Sequence, residues 1–218
     1  TNPTLNDSYT QDQNLEIGGF THSLTDLAPK TKYYVRAYAT NSEGITYGNE
    51  VSFTTSEIPN SFTFQGVEYE IAAGTLLNIG NFWGMIEGYN FVIILHSTGI
   101  NWVEEIEDIN GQGDFISFSL YSANETEFSG VYTFDPDETA EPNSFDYGLV
   151  AINVDFENET ADFECDITNG VVTVVFSDSI YEININCSDE SGNTVTGYFK
   201  GELNFVTPSF NWKKSTSI

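Results

Sequence analysis

Hydrophobic and polar residues alternate with a period of two along most of the chain, which predicts β-strands rather than helices. Glycine, asparagine and aspartate separate the alternating segments, as is typical of turns. In the second part of the chain the predicted strands occupy residues 62–64, 67–71, 88–97, 114–122, 130–134, 146–156, 161–168, 171–176, 181–188 and 194–206. No segment shows sustained helical periodicity, so the sequence predicts an all-β protein.

The pattern between residues 161 and 188 is regular enough to predict which residues pair. Asn169-Gly170 is a strong signal for a tight hairpin turn, and a loop from Ser177 to Ile180 follows it. The predicted cross-strand pairs are all apolar or cysteine: Ile167–Val172, Cys165–Val174 and Phe163–Phe176 in the first hairpin, then Phe176–Tyr181, Val174–Ile183 and Val172–Ile185 in the second. The predicted opposite face is polar and carries Glu164, Asp166, Glu182, Asn184 and Asn186. One face is therefore expected to be core and the other to be solvated.

The same register bears on the two cysteines, Cys165 and Cys187. Both are predicted to face inward, on two strands that flank a third. Because neighbouring strands lie ~4.8 Å apart, the two Cα atoms would be separated by more than the ~7 Å limit for a disulfide. We therefore expect two free thiols rather than a bridge.

The first 56 residues show a different motif. Residues 27–33 have the form L-x-P-x-T-x-Y, which in an immunoglobulin-like sandwich leads into a strand whose tyrosine hydroxyl bonds back to the corner backbone. An alternating strand from Tyr33, a turn at residues 41–44 and a last strand at 45–54 follow. Residues 33–41 and 47–55 resemble a fibronectin type III domain of the form common in Bacteroidetes.

This resemblance covers only part of such a domain. A sandwich of this class has about 100 residues and seven strands, so residues 1–56 are predicted to be its C-terminal half. Half a sandwich leaves an apolar sheet face uncovered. We expect upstream strands or another chain to cover that face, and we expect the domain to serve as a spacer. Residues 57–60 form a short predicted linker that Pro59 stiffens.

Residues 61–218 form the second predicted domain. Sequential hairpins favour an antiparallel meander, either curled into a calycin-like barrel or split into two packed sheets. Residues 88–95, 129–134 and 181–201, the last ending in T-G-Y-x-K-G, resemble a β-rich module of Bacteroidetes surface lipoproteins. The resemblance implies a secreted or lipid-anchored protein on the outer cell surface, held through an upstream segment, and it transfers no defined activity.

Charge narrows the range of partners. The chain has 33 Asp and Glu against 6 Lys and Arg, a formal net charge of −27. Such a surface repels phosphate backbones and anionic lipid headgroups, so nucleic acid and direct membrane insertion are not expected. No apolar run approaches the ~20 residues that span a bilayer.

One acidic, glycine-containing stretch imitates the first half of a calcium loop. Asp108, Asn110 and Asp114 supply alternating oxygen groups, and Gly113 supplies a turn residue. These three oxygen donors are the predicted Ca²⁺ ligands if the loop binds calcium, and no other cofactor is expected. The position where such a loop needs a bidentate glutamate is Ser119, so an ordinary surface loop is the alternative.

Two tryptophans are candidates for ligand binding. Trp83 and Trp102 both lie in segments flanked by glycine, where an exposed indole could stack on a sugar ring. The alternative is an aromatic cap over one end of the core, since tryptophan is mostly buried.

Catalytic chemistry has no comparable signal. His22 and His96, the only histidines, fall in different domains, so they are not expected to form a zinc site or a dyad. No catalytic residue is predicted, and 33 acids make any one carboxylate pair uninformative. Asp178-Ser179-Ile180 resembles a short O-glycosylation motif of Bacteroidetes, which makes Ser179 a candidate for modification.

The sequence therefore favours a non-enzymatic extracellular binding protein, in which residues 61–218 are displayed on a fibronectin-like stalk. Its expected partner is a glycan or another surface protein. The alternative is a structural subunit of a surface assembly with no small ligand. A glycan hydrolase is the third hypothesis.

Overall fold

The computed structural model describes residues 2–11, 21–25, 27–81, 88–104, 108–126 and 128–208. These residues form strands and no helix, which confirms the all-β prediction. No helix that could cross a membrane occurs among them. The chain divides into two compact units, residues 1–58 and residues 59–218.

The first unit contains two of the strands, β1 (Lys32–Asn41) and β2 (Gly44–Thr54). The second unit contains the other twelve, which in chain order are β3 (Ser61–Phe64), β4 (Val67–Glu70), β5 (Ala73–Gly80), β6 (Tyr89–His96), β7 (Ile100–Val103), β8 (Asp108–Ser122), β9 (Gly130–Phe134), β10 (Ser144–Asp155), β11 (Phe163–Ser177), β12 (Ile180–Asp189), β13 (Thr194–Gly201) and β14 (Asn204–Val206).

The first unit is an antiparallel hairpin with an anchored corner. Tyr33 lies opposite Phe53 in the β1–β2 register, and their rings stack with centroids 5.9 Å apart. The Tyr33 hydroxyl accepts a hydrogen bond of 2.8 Å from the amide of Ala28. This is the corner interaction that the L-x-P-x-T-x-Y motif predicts.

The hairpin leaves apolar side chains in solvent. Val51 is 60% exposed, and Ile45 and Phe53 are also exposed. Two strands provide a single layer, so the described residues supply no second sheet against which these side chains could pack. The interpretation of residues 1–56 as half of a sandwich stays a prediction.

The second unit is one mixed sheet curled into a half-barrel. Its strand order is β14-β5-β6-β8-β10-β9-β11-β12-β13-β3-β4, and β7 pairs with β8. Most neighbours are antiparallel, but β9 runs parallel to β10 and β14 runs parallel to β5. The predicted uninterrupted meander is therefore broken at these two places, and β3 pairs with β13 from the far end of the unit.

Both faces of the sheet carry a core. The main core fills the inside of the curl with residues from nearly every strand, including Phe62, Ile93, Phe118, Val172 and Ile183. A smaller core lies on the other face of β5, β6, β8 and β10, where β7 and the start of β8 cover it; its members include Leu77, Ile94, Ile100, Phe115 and Ala151.

This double burial explains why β5 was not predicted. Leu76 belongs to the main core and the adjacent Leu77 belongs to the smaller one. A strand that is buried on both faces reads as a continuous apolar run and loses the polar alternation. β7 was not predicted either, because the adjacent apolar residues Trp102 and Val103 interrupt its alternation.

The predicted hairpin turn at Asn169-Gly170 is wrong. β11 runs straight through these residues, and the register shift against β12 lies between Ile167 and Asn169. Gly170 uses its positive φ of 118° to make a bulge rather than a reversal. The strand stays continuous because β12 lies along one side, while β10 and then β9 lie along the other. The predicted pairs Ile167–Val172, Cys165–Val174 and Phe163–Phe176 therefore do not form.

The second predicted hairpin is confirmed. The pairs Phe176–Tyr181, Val174–Ile183 and Val172–Ile185 all form across β11 and β12. The last four of these residues are buried, whereas Glu164, Asp166, Asn184 and Asn186 are exposed, as predicted. The turn itself is shorter than expected, because Ser177 already pairs with Ile180 and only two residues of positive φ lie between them.

The two cysteines are free, as predicted, but for a different reason. Cys165 lies opposite Val150 of β10, and Cys187 lies opposite Gly170 of β11. Five residues of β11 separate Cys165 from Gly170, which amounts to ~16 Å along an extended strand. Burial raises the pKa of each thiol to about 11, so both stay protonated and unreactive at neutral pH.

Replacing Tyr33 by Phe should loosen the corner of the first unit. The change removes the acceptor of the Ala28 amide and keeps the ring that stacks on Phe53. We expect a loss of about 1 kcal/mol in the stability of this unit and faster hydrogen exchange at the Ala28 amide, measured by NMR. Tyr34→Phe, on the opposite face of β1, is the control, and equal exchange rates in the two variants would contradict the assignment.

Replacing Gly170 by Ala should destabilise the second unit strongly. A Cβ there would lie 2.4 Å from Cys187 Cα and 2.5 Å from the Asn186 carbonyl oxygen, so backbone must move. We expect a loss of about 3 kcal/mol in denaturant unfolding. Gly192→Ala is the matched control, because Gly192 also has positive φ but has open space around it, and it should cost only about 1 kcal/mol. Equal losses would show that the bulge is not constrained in this way.

Candidate functional site

Five aromatic side chains from distant parts of the chain meet at one end of the half-barrel. We call them the aromatic cluster: Phe91, Phe128, Phe176, Tyr181 and Phe205. Phe128 lies at the centre, with its ring centroid 4.5 Å from that of Phe91, 5.9 Å from Phe205, 6.3 Å from Tyr181 and 6.4 Å from Phe176. Phe176 also packs on Tyr181 at 4.5 Å.

Local structure places these rings together. Phe176 and Tyr181 are cross-strand partners next to the β11–β12 turn. Phe205 is on β14, whose register with β5 places it opposite Leu76. The Ser129 hydroxyl accepts a hydrogen bond of 2.9 Å from the Phe176 amide, which fixes the segment that carries Phe128 beside β11. The cluster thereby links one edge of the sheet to its middle.

The five side chains of the cluster differ in how far they are exposed to solvent. Phe91 and Tyr181 are buried and belong to the main core, and Phe128 is half-buried. Phe176 is 39% exposed and Phe205 is 50% exposed. Packing of the core does not require Phe176 and Phe205 to remain exposed beside Phe128. Apolar side chains that are exposed as a group are typical of interaction sites.

Exposed acidic residues lie close to the cluster members along the chain. Exposed Glu125, Asp178 and Glu202 each lie within three residues of a cluster member along the chain. Among the described residues of the second unit, Lys200 is the one lysine or arginine, and its ammonium lies 2.6 Å from the carboxylate of Glu182. No other described cation of this unit is available to the carboxylates near the rings.

Comparison with protein-family profiles, curated proteins and solved structures finds no match. The geometry of the site and the chemistry of its residues must therefore carry its interpretation.

A second, polar arrangement joins β8 to β10. The Tyr121 hydroxyl donates a hydrogen bond of 2.7 Å to one carboxylate oxygen of Asp146. The other oxygen is buried without a described partner. Burial raises the pKa of Asp146, and the charges of Glu138 and Asp135 raise it further. Burial also raises the pKa of Tyr121, so its hydroxyl remains a donor over the physiological range.

The predicted calcium ligands do not converge. Asp108 and Asn110 lie in the arm of β8 that pairs with β7, and Asp114 lies further along the same strand. At the rise of an extended strand, Asp108 and Asp114 are ~20 Å apart. One oxygen of Asp114 already accepts a 2.8 Å hydrogen bond from the amide of Asn153. The described residues include no group of three or more His, Cys, Asp or Glu arranged to hold a metal ion, and calcium binding stays a prediction.

The structure describes one of the two tryptophans that were predicted to bind a ligand. Trp83 lies outside the described residues. Trp102 is half-buried on β7 and packs against the smaller core, where its indole nitrogen is enclosed without a described hydrogen-bond partner. This position matches the aromatic cap considered as an alternative, and sugar stacking stays a prediction for both residues.

The remaining candidates lie apart from the aromatic cluster or at its border. Ser179 is exposed in the two-residue turn between β11 and β12, so its hydroxyl is accessible for modification, which stays a prediction. His96 is buried, with Nδ1 3.1 Å from the Ser97 carbonyl oxygen, whereas His22 is exposed and belongs to the first unit.

Sequence reasoning missed the aromatic cluster. Its members come from residues 91, 128, 176, 181 and 205, and no spacing along the chain links them. The one available signal was the register between β11 and β12, which correctly places Phe176 opposite Tyr181. The approach of Phe128 and Phe205 depends on the curl of the sheet.

Replacing Asp146 by Asn should raise the thermal stability of the second unit at neutral pH. Because the folded pKa of Asp146 is raised, its ionised form disfavours the fold, and this penalty is relieved as pH falls through the folded pKa. The amide removes the charge and still offers Tyr121 an acceptor. We expect a higher Tm near neutral pH and a smaller difference from the wild type in acid, measured by calorimetry.

Asp135→Asn provides a control of opposite sign. A hydrogen bond from the Thr139 hydroxyl lowers the pKa of Asp135, so its ionised form stabilises the fold and that stabilisation is lost as pH falls through the folded pKa. This variant should have a lower Tm at neutral pH and approach the wild type in acid. Parallel behaviour of the two variants would contradict the assignment.

Proposed function

We propose that this protein is a non-enzymatic extracellular binding module that engages its partner through the aromatic cluster. The exposure of Phe176 and Phe205 around the half-buried Phe128 carries this proposal. The cluster is apolar, and exposed carboxylates lie within three residues of its members along the chain. These properties suit recognition of a partner surface.

Residues 1–56 are proposed to be the C-terminal half of a fibronectin type III-like sandwich that acts as a stalk. The Tyr33 corner bond and the β1–β2 hairpin support this interpretation. Upstream strands or another chain would then cover Val51 and Ile45, which are exposed in the hairpin. The resemblance of both parts to Bacteroidetes surface proteins supports a location on the outer cell surface, with anchoring through an upstream segment.

For residues 61–218 the curl of the sheet favours a calycin-like barrel over two packed sheets. On this interpretation the barrel is open, and side chains rather than ladder hydrogen bonds bridge its gap. A glycan or another surface protein is the proposed partner class. The net charge of −27 supports excluding nucleic acid and anionic lipid.

A structural subunit of a surface assembly is the second candidate. The uncovered face of the first unit favours it, because Val51, Ile45 and Phe53 would be buried by a permanent neighbour. In that case the aromatic cluster would be a contact between subunits rather than a site for an exchangeable ligand.

Binding should depend on the exposed rings. We expect the full chain to bind a member of a glycan array or of a panel of purified bacterial surface proteins, and Phe176→Ser with Phe205→Ser to weaken that binding about tenfold or more. Tyr147→Ser is the matched control, since Tyr147 is 48% exposed elsewhere, on β10. Trp83→Ala and Trp102→Ala test sugar stacking separately. A chain that binds neither panel, or a double variant that binds like the wild type, would contradict the proposal.

A further inference from the structure

We propose that the aromatic cluster is the docking site for a basic, aromatic-bearing peptide segment of another protein. This inference rests on the proposed function and names the partner of the same site. Its basis is the combination, at one place, of exposed rings and carboxylates that lack cations within the described part of the unit.

The rings determine the apolar part of the partner. Phe176 and Phe205 each lie beside Phe128, which packs against the main core, so a partner side chain placed on Phe128 would also contact exposed rings. A phenylalanine or tryptophan suits such a surface, because aromatic pairs gain edge-to-face contacts beyond the area they bury. A sugar suits it less, because a phenylalanine ring offers no hydrogen bond to hydroxyl groups.

The carboxylates determine the charge of the partner. Glu125, Asp178 and Glu202 are exposed and lie within three residues of a cluster member along the chain, and Lys200, the one described lysine or arginine of the unit, is already paired with Glu182. A neutral or acidic partner would partly desolvate these carboxylates without compensation. Lysine or arginine would pair with them and could also lie over the faces of Phe176 and Phe205 as a cation–π contact.

Long-range attraction acts in the same direction. A chain of net charge −27 attracts a basic segment before contact, and added salt screens this attraction. The proposal therefore requires an association rate that falls as ionic strength rises, with a smaller salt effect on dissociation.

The chain itself contains a segment of similar composition. Residues 209–218 include Phe210, Trp212, Lys213 and Lys214 and lie outside the described residues. A test must therefore separate a segment of another protein from this one.

The experiment uses the full chain and a labelled peptide in which lysine alternates with phenylalanine, with binding followed by fluorescence anisotropy. The matched peptide has glutamate in place of each lysine. We expect the lysine peptide to bind and the glutamate peptide not to bind. Phe176→Ser with Phe205→Ser should weaken the lysine peptide about tenfold or more. Phe205→Ser alone, in a three-residue edge strand, keeps the test decisive if the double variant unfolds.

Neutralising the carboxylates tests the electrostatic part. Glu125→Gln, Asp178→Asn and Glu202→Gln together should weaken the lysine peptide a few-fold, and they should reduce the dependence of affinity on salt. Tyr147→Ser should change neither. Equal binding of the two peptides, or carboxylate variants with unchanged salt dependence, would overturn the inference.

The remaining outcomes separate this inference from the proposed function. A glycan or a non-basic protein that binds in a Phe205-dependent manner, while the lysine peptide does not, would overturn the basic-peptide inference and leave the binding function standing. Failure of every probe would remove both. An affinity for the lysine peptide that rises when Trp212, Lys213 and Lys214 are replaced by Ala would assign the site to the chain's own segment and overturn the assignment to another protein.

Discussion

The hydrogen-bonded ladder of the second unit ends at β14 on one side and at β4 on the other, and side chains must hold the curl that a closed barrel would fix with backbone bonds. Aromatic rings supply this connection across the interior. Phe128 joins Phe205 of β14 to the β11–β12 hairpin, and Phe64 of β3 meets Phe163 of β11 at 5.3 Å. The proposed binding surface is therefore part of the packing that maintains the curvature of the sheet, with two of its rings left in water.

The alternation of apolar and polar residues predicts many strands of the sheet, and the errors in this prediction have physical causes. The register of β11 and β12 follows from polar and apolar faces that only one alignment satisfies. The turn predicted at Asn169-Gly170 is wrong because glycine with positive φ occurs in bulges as well as in turns. The pairing of β11 with β10 and β9 keeps the strand straight and makes this glycine part of a bulge. β5 was not predicted because both of its faces are buried, so its sequence lacks alternating polar residues. The aromatic cluster could not be predicted, since it depends on curvature that no local pattern encodes.

The charge distribution limits the ways in which the unit can be stabilised. Lys200 is the one lysine or arginine described in the second unit. The carboxylates of this unit are therefore stabilised mainly by hydrogen bonds from hydroxyl and amide groups. At Asp135 the hydrogen bond from Thr139 stabilises the ionised carboxylate and lowers its pKa. At Asp146 burial outweighs the hydrogen bond from Tyr121 and raises the pKa. Such a surface gains more from a cationic partner than from rearranging its own side chains.

The pairing of β3 with β13 has a consequence for assembly of the fold. Phe62 on β3 is fully buried opposite Gly197 on β13, and Asn60 exchanges two hydrogen bonds with the backbone of Lys200. These contacts join segments near the two ends of the unit, so a large loop must close before they can form. The sheet can be completed only after nearly the whole unit has been synthesised. Until then β3 has no partner on its β13 side, and the side chain of Phe62 remains exposed, which favours aggregation of the incomplete chain.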